Sequence, residues 1–398
     1  MALPGTPEAW RKLYANLNDV MRSVEVSDKS DKRLKSGSEI TLEQFMALRV
    51  LSPGLKNGQQ LQSDLKKYVD PSTFKEMERK LSSSKEWNQF LAAVSGEKKT
   101  PVDLGPYATV FEYQQRASLG TSRSGFEAPV SPGPETSIAY RTRSRAAQPL
   151  PQPERPTTPP QATPIPVGEI NTNIHTNTDM EMNTAMAGLG LGSPAQLDSQ
   201  SLSPMSPEQY LPGDRGNEVT VNTALIHFFI TVHLFNLVTS GLSWSYEQRA
   251  FKFVMPHGGN FVARVDGILE VVDNEQPLVI AEVKAALHIR QPARSGWQKG
   301  AELVAWVMSW LPPNWDQKGN EKKKFRRLLI SQDHREMYFI IAEFTPGWIR
   351  HMLGHENLGD DFLRMQNFGP FSTNKPTHLE FSAAMVLTVT KQRGLLED

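Results

Sequence analysis

The spacing of apolar residues falls into three regimes along the chain. From Thr6 to about Gly96 it is helical: Trp10, Leu13, Tyr14 and Leu17 recur at three- and four-residue intervals, as do Phe45, Leu48 and Leu51 behind the cap Thr41. Further helices are expected over Leu61–Tyr68, over Pro71–Leu81 after the cap Asp70, and over Lys85–Val94. Residues 1–98 therefore read as a small all-helical module. Over residues 99–212 large apolar residues thin out and Pro, Ser, Thr, Gln and Asn take their place, as in Gln148–Pro166. Such a stretch cannot bury enough area to offset its chain entropy and reads as a long disordered linker.

From 213 to 398 apolar density returns with a mixed period. A helix is expected over Glu218–Thr239, then strands over Trp244–Met255, Phe261–Val272 and Leu278–Ala285, the first two joined by a turn at Pro256–Asn260. A helix over Gly296–Trp310 stops at Pro312-Pro313, and after a basic stretch a strand follows at Met337–Phe344. Helices over Pro346–Leu353 and Thr377–Gln392 complete an α/β order of αβββαβα plus one helix.

Composition sets limits on function. The 398 residues are 38% hydrophobic and 22% charged, with 43 basic and 43 acidic side chains, so no global field steers the chain to nucleic acid or an anionic membrane. Any attraction to phosphate has to be local. The chain has no cysteine, which excludes disulfides, thiolate zinc sites and cysteine nucleophiles. The start, Met1–Gly5, does not read as a secretory signal, so an intracellular location, nuclear or cytoplasmic, is expected. The apolar stretch Thr223–Val238 contains His227, His233 and Asn236 and falls short of the roughly 20 residues of a membrane span. It reads as a buried helix, and no membrane partner is expected.

The chemistry concentrates in the second and third strands. Their short link, Asp273–Pro277, makes them an antiparallel hairpin. A turn centred on Asn274 sets Asp266 opposite Glu282, and one centred on Glu275 sets it opposite Lys284; both place Asp266 on the face that Glu282 and Lys284 share by strand alternation. Two carboxylates facing each other in a partly buried sheet repel, and a divalent cation between them relieves the cost. Magnesium (or manganese) favours oxygen ligands and retains waters, so Asp266, Glu282 and the Val283 carbonyl form a candidate metal set. Lys284 beside it would orient or help deprotonate a water nucleophile and offset developing charge. Metal-assisted phosphodiester hydrolysis is the reaction class.

Val265-Asp266, a spacer and Glu282-Val283-Lys284 resemble the PD-(D/E)XK motif of restriction-endonuclease-like nucleases, with Val265 in place of the proline. The element order is similar to that superfamily's αβββαβ core over about Asn217–Phe344. The resemblance implies Asp266 and Glu282 as metal ligands, Lys284 as the catalytic lysine, Gln298 as the glutamine that many members place beside the site, and Glu218 as the nearest counterpart of a first-helix glutamate. It also implies a nucleic-acid substrate. Because the superfamily includes members without catalysis, the alternative is a silent scaffold that binds nucleic acid or protein, with the N-terminal helices as a possible protein-binding module.

Weaker signals have plainer readings beside them. Lys322–Lys324, Arg326 and Arg327, with Arg290, Arg294 and Lys299, could rim the site against phosphate, or form a solvated face or nuclear import signal. Trp306 and Trp310, four apart on one helix, are expected to pack on the sheet, while Trp297 is a candidate ligand contact. His351 and His355 have the spacing of a zinc pair but lack a third ligand. The Ser-Pro and Thr-Pro pairs at Ser131, Thr158, Ser193, Ser203 and Ser206, and the basic cluster Arg141–Arg145, belong to the linker and read first as spacer.

Overall fold

The computed structural model describes residues 3–15, 37–56, 60–119, 218–236, 241–254, 260–285, 292–355 and 360–397. Most of the linker, with its Ser-Pro and Thr-Pro sites and basic cluster, lies outside the described residues, as do Arg290 and most of the expected turn at Pro256–Asn260.

The N-terminal part is helical, as its periodicity predicts. Helix α1 covers residues 7–15, and after a 3₁₀ turn at Gly37–Glu39 come α2 (Leu42–Ala47), α3 (Leu61–Lys66), α4 (Pro71–Ser83), α5 (Lys85–Val94), α6 (Pro101–Leu104) and α7 (Ala108–Leu119). Their starts are chemically marked. Thr41 accepts from the Gln44 N–H in a capping box, Asp70 accepts from the Thr73 N–H ahead of Pro71, and Ser84 accepts from the Trp87 N–H. Two short strands, β1 (Val50–Leu51) and β2 (Leu55–Lys56), interrupt the helices.

The remainder runs α8 (Glu218–Asn236), β3 (Leu242–Ser245), β4 (Ala250–Val254), β5 (Asn260–Arg264), β6 (Gly267–Val271), β7 (Pro277–Lys284), α9 (Pro292–Ser309), β8 (Phe325–Asp333), β9 (Glu336–Phe344), α10 (Pro346–Met352), β10 (Leu363–Ser372) and α11 (Pro376–Lys391). The main sheet is mixed, with the order β1-β10-β9-β8-β7-β6-β3 and β2 also paired to β10. Strands β7 and β8 are parallel and joined through α9, while β6–β7 and β8–β9 are antiparallel hairpins. Helices cover both faces. Leu269, Val279, Ala281, Val283, Leu328 and Ile330 pack with α8, α11 and α3–α7, whereas Ile268, Ile280, Leu329, Tyr338 and Ile340 pack with α9, α2, α10 and the β4–β5 ribbon.

The first two expected strands are each broken in two. Trp244–Met255 divides into β3 and β4, and Phe261–Val272 into β5 and β6; β3 and β6 stay in the main sheet, while β4 and β5 pair as a separate ribbon against α9. The bend at Val265-Asp266 is the consequence that matters for the site. Besides the short β1 and β2 in the segment expected to be all-helical, two long strands were not foreseen. The basic residues ahead of β8 mask a strand whose Arg326 guanidinium pairs across to Glu343 at 3.2 Å, and β10 carries Arg364, Gln366, Asn367 and a Gly369-Pro370 step at which its pairing with β9 shifts register.

The N-terminal helices do not have a core of their own. Leu65, Phe74, Met77, Trp87, Phe90 and Tyr107 are buried in the same apolar cluster as α8, α11 and one sheet face, and Phe45 and Val50 join the cluster on the other face. One compact unit takes in residues 1–126 and 210–398. The start of the expected linker belongs to it as well, since α6 and α7 occupy 101–119 with Leu104, Tyr107 and Val110 buried. Alternation of a few apolar residues with proline and glycine hid these short helices, which depend on the rest of the core for their stability. Helix α8 is long and apolar enough to cross a membrane by length and composition, yet Val221, Leu225, Phe228, Phe229 and Val232 are buried within this core.

Candidate metal centre

The hairpin adopts the register centred on Asn274: Gly267 pairs with Ala281 and Ile268 with Ile280, which sets Asp266 across from Glu282. Asp266 sits at the bend where the chain passes from the ribbon into β6. It is fixed from four sides. Its N–H donates to the Ala281 carbonyl and its carbonyl accepts from Asn222 Nδ2 on α8, both at 3.0 Å, while Oδ2 accepts from the Val283 N–H at 3.0 Å and Oδ1 from Gln248 Nε2 at 3.2 Å. The carboxylate thus leans on the edge of β7, against Val283, whose carbonyl is the third oxygen of the expected set.

Glu282 and Lys284 point to the α9 side of the sheet, on the same strand face as Ile280. Glu282 is only 2% exposed. Its Oε1 accepts from Lys284 Nζ at 2.5 Å and from Gln298 Nε2 at 2.6 Å. Lys284 Nζ also stands 3.5 Å from Glu218 Oε1 at the start of α8. The structure therefore gathers Glu282, Lys284, Gln298 and Glu218 into one contact network, with Asp266 beside it at the bend ahead of β6.

Glu302 is a further member of the network, not foreseen from the sequence. It lies one turn beyond Gln298 on α9, 1% exposed, with Oε1 accepting from Gln298 Nε2 at 2.8 Å and Oε2 lacking a hydrogen-bond partner. A signal was present, because an acid flanked by Ala301, Leu303, Val304 and Ala305 on a helix that packs on a sheet is out of place in a core. Beyond Glu302 a second buried polar group lies on the same face: Lys299 Nζ is 3.1 Å from Asp333 Oδ2, and Ser331 Oγ donates to Asp333 Oδ1 at 2.8 Å. All of this lies towards the C-terminal ends of β7 and β8, where parallel strands joined by a helix commonly open a crevice.

Electrostatics follow from burial. Burial pushes the Glu282 carboxyl well above the ordinary range, and the nearby Glu302 adds to the rise while Lys284 opposes it. Burial likewise raises Glu302, to about 8, with Asp266 contributing. For Lys284, burial works against the ammonium, but Glu282 and Glu302 outweigh it and raise its pKa above the ordinary lysine value. The lysine stays charged and the two buried acids compete for protons.

The donor set suits a hard cation. Asp266, Glu282 and the Val283 carbonyl offer oxygen donors only, and a pair of buried acids with raised pKa values, Glu282 and Glu302, makes this a place where positive charge is stabilising. Among the described residues no three carboxylate or imidazole groups are already drawn into a cage; the positive charge beside Glu282 is the Lys284 ammonium.

The other expected site features fall elsewhere. Lys299 is buried against Asp333, Arg326 pairs with Glu343 and the Leu396 carbonyl, Lys323 with Glu397 and Lys324 with Glu343. Four residues of the expected basic rim, Lys299, Lys323, Lys324 and Arg326, are therefore engaged in local ion pairs, and of these only Arg326 lies on β8. Trp306 is fully buried, as expected, whereas Trp310 just past the end of α9 is 36% exposed, and Trp297 is partly buried against the same core. No protein-family model matches the chain, and no curated protein matches it in sequence.

Proposed function

We propose that this protein is a magnesium- or manganese-dependent nuclease of the PD-(D/E)XK kind, hydrolysing phosphodiester bonds of nucleic acid. The observation that carries the reading is the meeting of Asp266, Glu282, Lys284 and Gln298 around the β6–β7 hairpin. The parallel β7–α9–β8 unit and the preceding helix and strands are in keeping with an αβββαβ core.

Asp266, Glu282 and the Val283 carbonyl would hold the cation, which when bound supplies Lewis acidity towards the phosphoryl oxygen and activates a water. The chain's own groups do the rest. Lys284, kept protonated by Glu282, places a full positive charge where negative charge develops in the transition state. Gln298 holds the Glu282 carboxylate in place, and Glu218 adds a carboxylate on the far side of the lysine.

The test uses the full chain, because residues 1–119 share its core. Plasmid, single-stranded DNA and RNA are incubated with Mg²⁺ or Mn²⁺ and with chelator, beside Lys284→Ala and Asp266→Asn. Cleavage that needs the cation and falls by a factor of about 10² or more in either variant is expected. Cleavage indifferent to both substitutions would count against the site. The pairing of the basic run with local acids favours one other reading, a silent protein-binding scaffold; a chain that neither cleaves nor binds the cation would fit that instead.

A further inference from the structure

One amide nitrogen joins two buried acids: Gln298 Nε2 donates to Glu282 Oε1 at 2.6 Å and to Glu302 Oε1 at 2.8 Å. An NH₂ group has two hydrogens, so in this orientation both are used, one on each acid. Glu302, four residues on along the same helix face, thereby decides which way the Gln298 amide is turned. Lys284 and Gln298 both donate to Oε1 of Glu282, which leaves Oε2 as the oxygen available to a ligand.

Glu302 itself gains little. It is 1% exposed, and its Oε2 has no hydrogen-bond partner, an arrangement that costs stability relative to an apolar side chain of the same size. We propose that Glu302 is a positioning residue, which holds the Gln298 amide and through it fixes the orientation in which Glu282 meets a divalent cation. The inference rests on the proposed cation site and adds to it a residue that acts without touching the cation.

The test is Mn²⁺ affinity of the full chain, read from the free-ion paramagnetic resonance signal without nucleic acid, on variants whose folding is checked by thermal melting. Glu302→Leu should weaken binding about tenfold or more, as loss of an outer partner of a ligand does. Glu302→Gln keeps an acceptor oxygen for Gln298 and should keep most of the wild-type affinity. Gln298→Leu should lose as much as Glu302→Leu, and the double variant no more than either, because both break one linkage. Equal losses in Glu302→Gln and Glu302→Leu would make Glu302 a direct ligand and overturn the positioning role, and an unchanged affinity in a folded Glu302→Leu would make it a packing residue. Glu302→Met, close in volume, replaces the leucine variant if that one does not fold. Wild-type chain that binds no Mn²⁺ would overturn the cation site itself; wild-type binding with an indifferent Glu302→Leu would overturn this inference alone.

Discussion

Glu282 and Glu302 are almost fully buried acids, and this ties the site to the stability of the fold. A carboxyl whose pKa rises on folding binds more protons in the native than in the unfolded chain, so its contribution is full below the unfolded value of 4.5 and is lost as pH climbs through the folded one, about 8 for Glu302. His227, His351 and His378, lowered by burial, act in the opposite sense but only below their ordinary 6.5. Between pH 6.5 and 8 the acids dominate among these groups. The melting temperature should therefore fall across that interval, and Glu302→Gln should flatten the fall. Added Mg²⁺ should restore stability most at the alkaline end, where the cation no longer competes with protons. Differential scanning fluorimetry over a pH series checks all three, and a melting temperature that rises from pH 6.5 to 8 would contradict the assignment.

At the scale of elements, α9 is the part that has to be placed correctly, since it brings Gln298 and Glu302 down onto β7. Its seating depends on a close approach at Gly300, where an added Cβ would fall 2.6 Å from Phe45 Cε2 on α2. An aromatic ring cannot fold away as the end of an aliphatic chain can. Gly300→Ala should cost about 1–3 kcal/mol through overpacking, seen as a lower urea midpoint, and should weaken Mn²⁺ binding because α9 is pushed off the sheet. A variant with wild-type midpoint and affinity would show that the contact relaxes freely. The bend between β5 and β6 is the other placing device. It lets Asp266 leave the strand line and turn its carboxylate to the Val283 N–H, which an unbroken strand would not do.

For the whole molecule the governing fact is that sequence-distant halves complete one core. Trp87 lies against both Tyr107 and Phe228, and Gln114 on α7 exchanges amide hydrogen bonds with Gln332 on β8. Trp87→Ala should therefore destabilise everything that melts, by about 3–5 kcal/mol. Denaturation of the full chain, followed separately by far-ultraviolet circular dichroism and tryptophan emission, should give coincident transitions that shift together in the variant. A fragment of residues 213–398 should fail to unfold cooperatively, because it exposes the apolar faces that α3–α7 cover. A fragment with a sharp transition of its own would restore the picture of an independent N-terminal module.

Local pattern was enough to determine the hairpin and its face. Alternation along Leu278–Lys284 dictates that Glu282 and Lys284 share a side, whereas Asp266 turns to the Val283 N–H through the bend ahead of β6, and helix caps such as Asp70 and Ser84 act through neighbours in sequence. Tertiary structure alone decided what lies opposite that face. Glu302 enters the site only because α9 crosses β7, Arg326 and Arg327 enter strand β8 with Glu343 across from Arg326, and the N-terminal helices join the core only through contacts hundreds of residues apart in the chain. Periodicity reports which side of an element is apolar; which other element covers that side depends on packing between distant segments, which no local spacing encodes.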